Sequence, residues 1–125
     1  MKFLCLAYED ENIFHQMPHD EWLRLRDETL AYVDGLRQNG KLIMTEPLQS
    51  ARKANTVQIR NGISSITDGP FAETKEQLGG FFLIDVKDQE EAVQIALNWP
   101  SARLGKIEVR PIEPGLSIET RYNAL

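Results

Sequence analysis

An α+β fold is predicted by the order in which strand-like and helix-like segments follow one another along the 125 residues. Strand, helix and strand come first, a hairpin follows, and strand, helix and strand close the chain. This order lays an antiparallel sheet under two helices, as in the ferredoxin-like βαββαβ arrangement. Asn61-Gly62 marks the inserted β-hairpin, because this pair favours the two-residue type I′ turn.

The first half of the chain contains the first strand–helix–strand unit. Phe3 to Tyr8 and Leu42 to Leu48 have the composition of strands, and Glu9 to His19 is expected to be a polar connection. A helix is predicted over Asp20 to Asn39, because Pro18 suits its start and Gly40 its end. Its expected buried stripe is Trp22, Leu25, Thr29, Leu30, Val33 and Leu36.

The second half contains the hairpin and the second unit. The hairpin strands are Thr56 to Arg60 and Ile63 to Thr67, with Val57 opposite Ile66, and Thr74 to Leu78 is expected to form one helical turn. Phe81 to Val86 predicts a strand. A helix should begin after Asp88, which has the capping spacing to Glu91, and a last strand covers Ile107 to Ile112. The buried stripe of that helix is Ala92, Ile95, Ala96 and Trp99.

Two of the strands are apolar on both faces, although a sheet with one wet face should alternate. Phe3, Cys5 and Ala7 point one way, and Leu4 and Leu6 point the other. Phe82 and Ile84 are expected to share the second face with Leu4 and Leu6. Left exposed, that face would be a large apolar patch. The sequence therefore predicts a homodimer packed sheet to sheet.

Composition and charge exclude several classes of protein. The chain is 42% apolar and 26% charged, as soluble domains are, and its net charge of −5 argues against direct binding to nucleic acid. A single cysteine excludes a disulfide framework and favours a reducing, cytoplasmic compartment. No segment approaches the ~20 apolar residues of a membrane span, so no membrane partner is expected.

A segment beginning at Asp68 resembles the signature of a known family. Asp68-Gly69-Pro70-Phe71, then Glu73-Thr74-Lys75-Glu76 and Gly79-Gly80, is similar to the signature of YCII-related proteins, in the branch named for its DGPF tetrapeptide. Ser101 to Pro111 is similar to a second recurrent stretch of that family. The resemblance implies a dimeric α/β barrel domain, here residues 1–113, followed by a tail at 114–125 where Leu116, Ile118 and Tyr122 could dock.

The candidate site is centred on the same segment. Asp68 projects from a turn into a pocket as base or ligand acceptor, or it serves only the turn itself. Lys75 and Glu73 could exchange protons, although charge runs are usually solvated. Arg103 could clamp an anionic ligand or form a surface ion pair. Asp68 and Lys75 are the catalytic candidates, and the ligand-binding candidates are Tyr8, Asp68, Phe71, Glu73, Thr74, Lys75 and Arg103.

Other potential chemistry is weaker. His15 and His19 have a spacing that could hold a metal on a helix, but Pro18 lies between them and no metal site is expected. Cys5 suits core packing, and no cofactor motif is present. Short YCII proteins resemble one another in a helix-one histidine and an aspartate before a proline; the predicted helix lacks the histidine, and Trp99 precedes Pro100. A His–Asp mechanism therefore does not transfer.

Three functions are compatible with these observations. The first is binding of a small molecule without turnover, in a pocket between the sheet and the Asp68–Leu78 segment. The second is an acid–base enzyme of the isomerase or lyase type that uses Asp68. The third, implied only by the resemblance, is an accessory role beside a sigma factor in transcription.

Overall fold

The computed structural model of the protein describes residues 1–115, so the tail residues Leu116, Ile118 and Tyr122 lie outside the described part. Within residues 1–115, the six strands and two of the three α-helices follow the predicted order, with 3₁₀ turns at Ala51–Lys53 and Pro100–Arg103. The elements are β1 (Lys2–Glu9), α1 (Glu11–Gln16), α2 (His19–Gln38), β2 (Leu42–Pro47), β3 (Asn55–Arg60), β4 (Ile63–Asp68), β5 (Gln77–Asp85), α3 (Gln89–Leu97) and β6 (Gly105–Pro111).

The main sheet has four antiparallel strands in the order β2-β5-β1-β6. One core cluster joins Phe3 and Cys5 of β1 to Val33 of α2 and Ile95 of α3, so both long helices cover the same face of the sheet. This mixed architecture of antiparallel strands and covering helices is consistent with the predicted ferredoxin-like α+β fold.

Trp99 connects the two helices to the sheet. Its ring stacks on Phe82 of β5, with the centroids 3.9 Å apart and an interplanar angle of 5°. The edge of Tyr32 from α2 meets the same indole at 5.8 Å and 82°. The Tyr32 hydroxyl donates a 2.8 Å hydrogen bond to the Ile95 carbonyl in α3. The predicted stripe of α3, which comprises Ala92, Ile95, Ala96 and Trp99, is confirmed as buried.

The hairpin is a separate two-stranded sheet formed by β3 and β4. Val57 pairs with Ile66 as predicted, and Asn61 and Gly62 have φ angles of 51° and 77°, as a type I′ turn requires. Its apolar side chains are not part of the core, because Ile63 and Ile66 are about 70% exposed (72% and 71%).

Three predictions of local structure are wrong. The expected polar connection instead contains the last residue of β1 and a helix, α1. The Asp10 carboxylate caps this helix by accepting a hydrogen bond from the Asn12 N–H at 3.0 Å. Helix α2 begins one residue early, at His19, and so does contain a histidine. Residues 74–78 form no helical turn, since β5 already begins at Gln77 and pairs with Glu9.

The composition of the second sheet face also differs from the prediction. Phe82 and Ile84 lie on the helix-covered face and are 0% exposed. Leu4 pairs with Leu83, and Leu6 pairs with Phe81, so those residues form the second face together. The mistake came from the pairing register, because a shift of one residue exchanges the faces of a strand. The second face is nevertheless apolar and half-buried in the single chain.

No helix among residues 1–115 combines the length and apolar character needed to cross a membrane.

Replacing Phe82 with alanine should lower the free energy of unfolding by about 3–5 kcal/mol, because it removes the surface on which Trp99 stacks and leaves a cavity. The measurement is urea unfolding followed by circular dichroism. Phe71→Ala is the matched control: Phe71 is 91% exposed, and the change should stay within about 0.5 kcal/mol. Equal losses in the two variants would contradict this description of the core.

The Cys5 thiol should resist labelling by Ellman's reagent in the native protein at pH 8. Burial raises the pKa of this thiol to about 12, and the thiolate is the reactive form. In urea the same thiol should react completely within the mixing time of a bench assay. Rapid labelling of the native protein would place Cys5 outside the core.

Candidate functional site

A cleft of about 710 Å³ lies between α2 and the β2–β5 side of the sheet, with α1 at one end. We call it the α2 cleft. Its walls are largely apolar and include the aromatic side chains of Phe14, Trp22 and Trp99, with the buried Phe82 ring stacked on Trp99. The charged or titratable residues on this face that line it are Glu9, Glu11, His15, Arg26 and Arg37.

The first half of α2 forms the outer wall of this cleft. Trp22 and Leu30 were predicted as core residues, yet they are 38% and 59% exposed. Both line the α2 cleft together with Leu25 and Thr29, whereas Val33 and Leu36 further along the helix are buried. The apolar stripe of α2 is therefore real, but only its second half packs into the core. The first half encloses empty space.

Glu9 reaches the cleft because of a β-bulge in β5. Ala7 pairs with Gly80 and Tyr8 pairs with Leu78, which leaves Gly79 as the extra residue. Glu9 continues the face of β1 that carries Ala7 toward the helices. A Cβ atom at position 79 would overlap the Glu9 carboxyl group, so glycine is the residue that leaves room for it.

Burial raises the pKa of the Glu9 carboxyl, and the negative charge of Glu11 raises that pKa further. Neither cause is a hydrogen bond, and Glu9 takes part in no ion pair among residues 1–115. The protonated form of Glu9 is thus favoured relative to that of an exposed carboxyl group.

Glu11 has the opposite environment. Its carboxylate accepts hydrogen bonds from the Ala51 N–H at 2.7 Å and from the Ser50 hydroxyl at 2.9 Å. The Ala51 N–H contributes most to holding the pKa of Glu11 below its ordinary value. These bonds attach α1 to the segment after β2 and keep a negative charge at that end of the cleft.

The two histidines flank the cleft from different elements. His15 lies in the last turn of α1 and lines the cleft. His19, the first residue of α2, stacks on Trp22 at 6.2 Å and 11°. The Arg26 guanidinium lies 5.5 Å from the centroid of the same Trp22 ring, which lines the cleft. Within the described residues no group of three or more metal-binding side chains stands close enough to hold an ion.

The tetrapeptide at Asp68 forms a well-bonded turn. The Asp68 carboxylate accepts a 2.9 Å hydrogen bond from the Asn55 side-chain amide. The Gly69 N–H donates to the Ala54 carbonyl at 2.7 Å, and Gly69 has a φ of 98°, which suits glycine. These contacts hold the turn together and engage the Asp68 carboxylate with Asn55.

The predicted site residues that come after this turn in the sequence lie on the surface of the single chain. Phe71 is 91% exposed, and Glu73 and Lys75 are exposed as well. The Thr74 hydroxyl donates to the Glu76 carbonyl at 2.6 Å. Beyond them, Glu76 forms an ion pair with Lys106 of β6.

Tyr8 and Arg103 lie apart from this segment. Tyr8 pairs with Leu78 and Lys106 on the second sheet face. Arg103 donates two 2.8 Å hydrogen bonds to the Glu28 carboxylate, which lower the pKa of Glu28. None of the seven predicted site residues lines the α2 cleft of the same chain. Their role in a ligand site remains a prediction.

Sequence reasoning missed Glu9, because it stands in the run Glu9-Asp10-Glu11 and resembles a solvated connection. One signal was available. Glu9 follows Ala7 by two residues, so extending the first strand by one position would have directed its side chain to the helix-covered face.

The relationship to known proteins is consistent with this fold. The profile of the YCII-related domain matches residues 1–115. An uncharacterised protein of Rhizobium meliloti (strain 1021) is 35% identical over 114 residues, covering 90% of this chain and 92% of that protein.

A solved structure is similar in fold alone, at 18% identity and a TM-score of 0.52, covering 92% of this chain and 96% of its own. It is 5-chloro-2-hydroxyhydroquinone dehydrochlorinase from Burkholderia phenoliruptrix AC1100, in complex with 2,5-dihydroxybenzoquinone. The narrower assignment to the DGPF branch stays a prediction. The match over residues 1–115 and the 35% identity to a full-length relative establish that this chain belongs to the YCII-related family.

Proposed function

We propose that this protein binds a small, largely aromatic molecule in the α2 cleft. The observation that carries the proposal is the cleft itself, about 710 Å³ and lined by the aromatic residues Phe14, Trp22 and Trp99 among largely apolar walls. Ligand sites in proteins usually measure about 300–1,000 Å³ and combine apolar walls with a few polar groups. The α2 cleft meets both criteria in a single chain.

The dehydrochlorinase of similar fold is in complex with 2,5-dihydroxybenzoquinone, a flat ring that carries oxygen atoms. A molecule of that shape suits a cleft whose walls contain aromatic side chains, because flat rings pack well against one another. That likeness also favours an enzyme of proton-transfer chemistry as the second candidate function, with fold analogy as its only support. The predicted catalytic roles of Asp68 and Lys75 belong to this candidate and remain predictions.

We further propose that the working form is a cytoplasmic homodimer of the dimeric α/β barrel type, packed sheet to sheet, with β3 and β4 as an insertion. The support is the second sheet face, where Leu4, Leu6, Phe81 and Leu83 lie together and only half-buried. Water contact with a continuous apolar face of this kind is unfavourable, and a second copy would remove it.

The fluorescent probe 1-anilinonaphthalene-8-sulfonate (ANS) should bind the protein, and Thr29→Phe should weaken that binding by roughly tenfold or more. Thr29 lines the α2 cleft, and a phenyl ring there would take the volume that the probe needs. The measurement is a fluorescence titration. Because the chain's two tryptophans, Trp22 and Trp99, both line the cleft, energy transfer to the bound probe gives a second readout.

Ala31→Phe is the matched control for that titration, because Ala31 is exposed on the same helix and does not line the cleft. Its affinity for ANS should equal that of the unchanged protein. Equal affinities in all three proteins would place the probe elsewhere and refute the proposed site.

Sedimentation equilibrium at micromolar concentration should give twice the chain mass of 14.3 kDa. Leu6→Glu should shift the equilibrium to the single chain, because it places a charge at the centre of the second sheet face. Leu97→Glu, on an exposed position of α3, is the control and should leave the dimer intact. A 14.3 kDa species for the unchanged protein would rule out the homodimer.

A further inference from the structure

We propose that Glu9 is the proton-transfer residue of the α2 cleft, and that the cleft takes an aromatic compound bearing an anionic or hydroxyl oxygen. This inference rests on the proposed ligand site and adds to it the acting residue and the class of ligand. It differs from the sequence-based prediction, which placed the acid–base chemistry at Asp68.

The position of Glu9 leaves its carboxyl group available to a ligand in the cleft. It lines the cleft at the end of β1, where the bulge at Gly79 provides room for it. Bulges of this kind often re-aim a side chain beside a functional site. Among residues 1–115, no hydrogen bond or ion pair occupies the Glu9 carboxyl, whereas Glu11 is engaged by Ser50 and Ala51.

Because a carboxylate repels an anion, an anionic ligand binds more favourably beside Glu9 when Glu9 is neutral. Helix α1 contributes the fixed negative charge of Glu11 together with His15, whereas Glu46 of β2 pairs with Phe81 and so has its side chain on the second sheet face. Arg26 and Arg37 line the cleft from α2, and the Arg26 guanidinium is shared with the Asp27 carboxylate at 3.1 Å. The β5 wall offers Gly79, Gly80, Phe81 and Phe82, which are uncharged.

Both Glu9 and the aromatic walls specify the ligand. Rings such as Phe14 and Trp22 favour a flat apolar body, and the two arginines favour an electron-rich or anionic substituent. Burial and the charge of Glu11 raise the pKa of Glu9, so its protonated form can donate a hydrogen bond to a ligand oxygen.

The proton-transfer step involves no other reactant. The O–H bond of the Glu9 carboxyl breaks as an O–H bond forms on the anionic oxygen of the ligand. Glu9 becomes a carboxylate and the ligand oxygen becomes a hydroxyl. In the reverse direction, the Glu9 carboxylate removes the proton from a ligand hydroxyl, so the residue can act as acid or base.

The test is the pH dependence of ANS binding across the whole range in which the protein stays folded, because the sulfonate of this probe is an anion throughout. A bound anion favours protonated Glu9, so affinity should be greatest below the pKa of Glu9 and should fall as the pH rises above it. The dissociation constant should rise by up to about tenfold per pH unit, the limit for one linked proton. Glu9→Gln keeps the size and cannot titrate, so its dissociation constant should stay constant at the low-pH value.

Two further variants separate Glu9 from its neighbours. His15→Asn should keep the pH dependence, because it removes the imidazole that lines the cleft and leaves the Glu9 carboxyl in place. Gly79→Ala moves the Glu9 carboxyl without removing it, since the added methyl would overlap it. This variant should shift the midpoint of the pH dependence.

Each outcome has a defined meaning. A slope that persists in Glu9→Gln, or that disappears in His15→Asn, overturns the role of Glu9. If Thr29→Phe still weakens binding in that case, the α2 cleft remains the ligand site and only this inference fails. If no binding sensitive to Thr29→Phe exists at any pH, both proposals fail. Urea unfolding of Glu9→Gln establishes that the variant is folded.

Discussion

The stack of Trp99 on Phe82, at 3.9 Å between centroids, is the contact on which the arrangement of helices and sheet depends. Tyr32 touches the same indole from α2 and donates a hydrogen bond to Ile95 of α3, so three elements meet at one ring. The aromatic face that completes the core also forms part of the wall of the α2 cleft. Core packing and a candidate binding surface are therefore built from the same side chains.

The cleft exists because only part of α2 reaches the sheet. Its second half buries Val33 and Leu36, while its first half stands over the β2–β5 side and encloses open volume. The Gly79 bulge then admits a carboxyl group where a side chain on β5 would otherwise project. Glu11 supports this end by attaching α1 to the backbone at Ala51. Each feature shapes the space around Glu9.

Sequence reasoning succeeded where local chemistry decides the structure. Asn61-Gly62 fixes its turn through backbone conformation, and the Asp88 carboxylate caps α3 by accepting the Glu91 N–H at 2.9 Å. It failed where a pairing register decides, because the bulge at Gly79 is a property of two strands and is invisible in one. For the same reason the sequence-based prediction assigned the side chains of β5 to the wrong faces and placed Glu9 in a loop.

The most direct test of the ligand site is a heteronuclear NMR titration with ANS that follows the two tryptophan indole N–H signals. Trp22 and Trp99 are the chain's only tryptophans, and both line the α2 cleft. Trp22 belongs to α2, and Trp99 stacks on Phe82 of the sheet. Our account predicts that both signals shift progressively on titration. Unchanged indole signals, with shifts confined to the amides of Leu4 and Leu6 on the second face, would contradict it.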